Sequence, residues 1–115
     1  MIFSIQREQE LISSEYNVAL KLIEELRELK SDHPYLKFKE DFDRLYQDSI
    51  SDSIEDTKLF TIHSVIMNGR ILLSIAIATL KEEYDKEYLQ RKYEEIAIRA
   101  EIVSSGLELI KTQRT

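Results

Sequence analysis

The chain has 115 residues, with 43% hydrophobic and 33% charged side chains and a formal net charge of -6. That excludes a disordered chain and points to one globular domain over residues 1–115, with no room for a second core. Two glycines, one proline and no cysteine argue for long helices and rule out disulfides, thiolate metal sites and a cysteine nucleophile. The acidity is uneven. Residues 1–57 hold 7 Lys+Arg against 14 Asp+Glu, whereas residues 58–115 hold 9 against 8. Neither half is basic enough to neutralise phosphates, so no nucleic acid is expected, and an acidic first half suits a protein partner with a basic surface.

The N-terminus, MIFSIQREQE, is too short in apolar run for a signal peptide, and a cytoplasmic protein is expected. A first helix is predicted over residues 4–31, because Ile12, Ala19, Leu22, Leu26 and Leu29 recur at helical spacing. SDHP, Ser31–Pro34, ends it, since the residue before a proline is pushed out of helical angles. A shorter second helix over 34–50 carries Tyr35, Phe38, Phe42, Leu45 and Ile50 on one side. The polar cluster Ser49–Asp56 follows, with Asp52/Glu55 or Ser53/Asp56 spaced as a capping box.

A third helix is predicted over 54–83 and a fourth over 87–112, the latter with an unbroken seam of Leu89, Tyr93, Ile96, Ala100, Val103, Leu107 and Ile110. No Gly or Pro divides the two. The stripe of the third helix would continue onto Glu87 and Arg91 rather than Leu89 and Tyr93, so a tight turn is expected at Tyr84–Glu87. The alternative is one continuous helix of about 59 residues. The expected fold is therefore all-α, an up-down four-helix bundle with long helices 1, 3 and 4 and a shorter helix 2.

The segment Phe60–Leu80 has the length of a membrane span, but His63, Asn68 and Arg70 lie near its middle. An arginine at mid-bilayer costs roughly 2.5 kcal/mol or more, so no membrane is expected. On a helical wheel this helix is apolar nearly all round, and its outward positions, Thr61, Ser64, Asn68 and Thr79, carry no charge. Such a helix calls for cover on every side. A homodimer is expected through Thr61, Ser64, Asn68, Ile71, Ile75 and Thr79, or else cover by another protein.

His63, Arg70 and Ser74 fall on one stripe at the core's edge. They form either a polar pocket for an anionic group, or a register-fixing pair between Arg70 and a glutamate of a neighbouring helix. Six tyrosines are unusual in so short a chain, and Tyr84 and Tyr88 share a face. Gly106, inside a helical pattern, permits close approach of another backbone, with Gly69 as a possible counterpart.

Catalytic motifs are scarce: there is no Gly-rich phosphate loop, no HExxH and no GxSxG. One constellation resembles a known family. Glu24, Glu25 and Glu28 in EELRE, then Glu40 and Asp43 in EDFD, give ExxE followed by ExxD on consecutive helices. The pattern is similar to the metal-binding signature of the all-α, MazG-type nucleoside triphosphate pyrophosphohydrolases. It covers about twenty residues. The resemblance implies that Glu25, Glu28, Glu40 and Asp43 hold a magnesium ion bridging the substrate phosphates, and this requires them to converge between the helices.

The preferred expectation is a small non-enzymatic interaction protein without cofactor: a regulator, inhibitor, immunity factor or adaptor that occludes a protein partner. The alternative is the MazG-like magnesium-dependent hydrolase.

Overall fold

The computed structural model describes residues 4–113, and among them there are four α-helices and no strand. α1 spans Ile5–Leu29 and starts where Ser4 Oγ accepts the backbone N–H of Arg7 at 3.2 Å. It stops at Lys30, ahead of the proline. His33 Nδ1 then accepts from Tyr35 N at 3.0 Å and opens a 3₁₀ turn over Pro34–Lys37, which leads into α2, Phe38–Ser49. α3 is Asp56–Leu80. Neither capping box expected before it forms: Glu55 stands at the cap position and makes no side-chain cap hydrogen bond.

The turn between α3 and α4 (Lys86–Gln113) lies at residues 81–85, slightly earlier than its expected position. Its geometry explains how a helix stops without glycine. Glu83 N donates to Ala78 O at 2.9 Å and Glu82 N to Thr79 O at 3.1 Å, a bond pair that closes a helix C-terminus around a left-handed residue. That residue is Glu82, with φ of 58°. Asp85 then caps α4, its carboxylate accepting from Tyr88 N at 2.7 Å.

α3 is the centre of the molecule. α1 lies along one flank, running in the same direction, as the pairs Glu8–His63, Glu15–Arg70 and Glu25–Lys81 require. α4 lies along the opposite flank, running the other way, so that Asn68 meets Arg99 and Val65 meets Gly106. α2 sits over one side of this row, pressed on α1 and α3, and the last turns of α4 reach it. α1 and α4 make no substantial contact with each other. The core gathers Ile12, Ile23 and Leu26 of α1, Phe42 and Leu45 of α2, Leu59, Ile62, Ile66 and Leu73 of α3, and Val103 and Ile110 of α4.

Within the chain much of α3 is already covered, and the expectation of a second protein over it bears on what is left exposed, Phe60 and Leu80 among them. Three parts of its circumference are used within the chain: α1 covers one side, Phe42 of α2 lies on Gly69, and α4 covers the side of Val65 and Asn68. By length and composition α3 could cross a membrane, and the packing gives its apolarity another use. Nor do the glycines face each other. A methyl group on Gly69 would run into the Phe42 ring, and one on Gly106 into Val65.

Candidate protein-binding face

Of the stripe expected to form a dimer surface, α4 lies over the part around Thr61 and Asn68, while Ile71 is half-buried and Thr79 exposed. Thr61 lies beside Gly106. Asn68 is only 3% exposed; its amide donates to Ser64 O at 2.7 Å and accepts from Arg99 at 2.7 Å. Ile71 and Ile75 face Tyr84, Tyr88 and Lys92 across a cleft of about 210 Å³. Thr79 and Ile75 border a second cleft, of about 350 Å³, with Ile96 and Tyr35. Thr61 and Thr79 turn their hydroxyls onto carbonyls of their own helix, at 2.9 Å and 2.7 Å. These uncharged polar side chains are satisfied within α3, and so can lie under another helix without an unpaired group.

The polar stripe His63, Arg70, Ser74 divides. His63 pairs with Glu8 and Arg70 with Glu15, both across the α1–α3 boundary. The register-fixing alternative is the arrangement found for Arg70. Ser74 is exposed. It shares the smaller cleft with Arg70 and with Tyr84, Tyr88, Lys92 and Glu95, and His63 does not line it. Glu95 accepts from Lys92 at 2.9 Å and from Arg99, and these bonds hold its carboxyl below the usual range.

The four acidic residues of the ExxE/ExxD pattern are not brought together, and no group of three potential ligands is placed to hold a metal among the described residues. Glu25 pairs with Lys81 at 2.6 Å. Glu28 and Glu40 are exposed on different helices. Asp43 accepts from Tyr16 at 2.6 Å and from Lys39 at 2.7 Å. Burial works to raise its pKa, but these two hydrogen bonds outweigh that and leave it lowered. Tyr16 stacks on Tyr46 at 4.4 Å, so this carboxylate joins α1 to α2.

The notable surface lies opposite α2. At 100° per residue, the α2-facing side of α1 holds Gln9 and Tyr16, and its boundary with α3 holds Glu8 and Glu15. Rotating further from α2 leads to Leu11, Val18 and Leu29, all exposed. On α4 the same construction leads past Arg99 to Ile102, Leu109 and Ile98, with Ile98 60% and Leu109 50% exposed. Between them α3 presents exposed Phe60 and half-buried Met67 and Ile71. The side of the row away from α2 thus carries exposed apolar side chains on all three helices.

Sequence reasoning missed this face because its residues belong to three helices. It also placed Tyr93 in the buried seam of the fourth helix, whereas it is 71% exposed. The ion pairs had a legible signal: Glu8 and Glu15 are seven apart, as are His63 and Arg70. Comparison of the chain with protein-family models, with curated proteins and with solved structures finds no match.

Proposed function

We propose that this protein is a small non-enzymatic interaction protein of the cytoplasm, of the regulator, inhibitor, immunity or adaptor type, and that it acts by binding a protein partner on the open face of α1, α3 and α4. One observation carries the reading. Leu11, Val18, Ile98, Ile102 and Leu109 are all exposed, and helical geometry puts them on the side away from α2. Monomeric proteins seldom leave so many large apolar groups together in water, and such patches commonly mark binding sites. An amphipathic helix laid along that side, as α2 is on the other, would bury them. The paired state of Glu15 and Glu95 also supports it, because these charges bordering the face are already compensated.

The test is affinity capture from a lysate of the producing cells, with wild-type protein against Ile98→Asp/Ile102→Asp. Both positions are exposed, so the variant should keep its circular dichroism and melting temperature. A protein retained by the wild type and lost from the variant is the expected result. Equal retention by both, or none by the wild type, contradicts the reading.

A further inference from the structure

We propose that the partner taken by the open face is an amphipathic helix with apolar residues in a heptad pattern and lysine or arginine at seven-residue intervals, laid along α4. This rests on the binding role proposed above and names the occupant. Besides its packed seam, α4 repeats a second series in steps of four and three: Arg91, Glu95, Ile98, Ile102, Ser105 and Leu109. The apolar members are Ile98, Ile102 and Leu109, all exposed. Glu87, Glu94, Glu101 and Glu108 run beside the series, each seven residues from the next. At 100° per residue the four stand within about 60° of one another, on the edge of the series turned away from α3. All four are exposed, and among the described residues none of them is in an ion pair.

The opposite edge of the series holds Lys92, Arg99 and Gly106, and these are engaged within the chain. Lys92 and Arg99 lie on Glu95, Arg99 also on Asn68, and Gly106 on Val65. Where two helices pack along a heptad seam, the charged residues flanking it choose the partner. Here one flank is already used, and the other is a row of uncompensated negative charge about 32 Å long at ~1.5 Å per residue. Charge complementarity then fixes the occupant. A second copy laid antiparallel would set one glutamate row against the other. Laid parallel, it would bring that row to Lys92 and Arg99, whose charges already have partners. A helix with a basic row meets the glutamates and covers Ile98, Ile102 and Leu109 together. The corresponding edge of α1 mixes exposed Arg7 and Lys21 with exposed Glu10 and Glu28, so the basic side of the partner lies over α4 rather than α1.

Two synthetic heptad peptides test this, both with leucine and isoleucine at the seam positions. One carries lysine at every flanking position and the other glutamate. Their binding to the full chain is followed by fluorescence anisotropy. The lysine peptide should bind the wild type about tenfold more tightly than the glutamate peptide, and Glu94→Lys/Glu101→Lys should reverse that preference. Glu40→Lys/Asp52→Lys changes the net charge equally, on α2 and the loop after it, and should leave the preference as it is. Ile98→Asp/Ile102→Asp should abolish binding of both peptides. Equal binding of the two peptides, lost in Ile98→Asp/Ile102→Asp, overturns the basic partner and leaves the binding face standing. Binding that ignores Ile98→Asp/Ile102→Asp, or no binding of either peptide, overturns the proposal and the face with it. A change that Glu40→Lys/Asp52→Lys reproduces marks attraction to net charge alone and also overturns the basic partner. So does a wild type that is dimeric by light scattering and becomes monomeric in Ile98→Asp/Ile102→Asp, since a second copy then holds the face.

Discussion

α1 and α4 flank the same central helix, yet they are held very differently. α1 buries Ile12, Ala19, Ile23 and Leu26 completely, is pinned to α3 by the Glu15–Arg70 and Glu25–Lys81 ion pairs and the Glu8–His63 hydrogen bond, and is gripped from the other side by α2 through the Tyr16–Tyr46–Asp43 cluster and Gln9. α4 is longer, but among the described residues it buries only Val103 and Ile110, and the polar pair Arg99–Asn68 ties it to α3. Burial and polar pairing both favour α1. The lesson is that helix length and a regular seam do not measure attachment. What counts is how many neighbours a helix has, and α4 has one along most of its length.

The largest expected effect comes from the same truncation on either side. Ile23→Ala, in the middle of the three-helix contact, should cost about 4 kcal/mol, and Ile110→Ala, near a chain end that can relax into the space, about 2 kcal/mol. Denaturant titration of both variants checks the difference, and equal losses would erase the asymmetry. A smaller contrast comes from the glycines. Gly69→Ala pushes on the Phe42 ring, which is locked in the core, and Gly106→Ala pushes on Val65 from the loosely held helix. Overpacking of about 1–3 kcal/mol, offset by up to about 1 kcal/mol of helix propensity, leaves Gly69→Ala about 2 kcal/mol less stable. Gly106→Ala should lose about half that, because α4 can shift outward. Thermal melts compare the two.

The smallest effect is titration of the α1–α2 contact. Burial first, then the hydrogen bond and charge of Asp43, raise Tyr16 from 10.0 to about 12. The folded chain therefore keeps this proton when the unfolded chain has lost it. The resulting stability is complete below pH 10 and disappears as pH rises through about 12. With Tyr16 half-buried it amounts to about 1 kcal/mol. Tyr16→Phe should flatten that part of the alkaline stability curve.

Much of this was legible in the sequence. The apolar spacing from Ile12 to Leu29, the proline at position 34 and the break of register after Tyr84 locate the helices to within a few residues, because periodicity and breakers act locally. The identity of neighbours is another matter. A wheel shows that Thr61, Ser64, Asn68 and Ile71 share a face, but not that the chain's own α4 lies over it, since that depends on a turn whose left-handed residue is glutamate rather than glycine. The candidate site was less legible still. Leu11, Phe60 and Ile102 are separated by some forty residues or more at each step, and only the parallel packing of α1 on α3 brings them to one face. The seven-residue match between Glu8/Glu15 and His63/Arg70 was the one long-range clue the sequence held.

Native-state hydrogen exchange, resolved by residue at low denaturant, tests the central claim most directly. If α4 is a separately held element, its backbone amides around Val103 should exchange through an opening at least about 2 kcal/mol easier than global unfolding, while amides of α1 around Ile23 and of α3 around Ile66 exchange only when the whole chain unfolds. One opening free energy shared by all the long helices would contradict it.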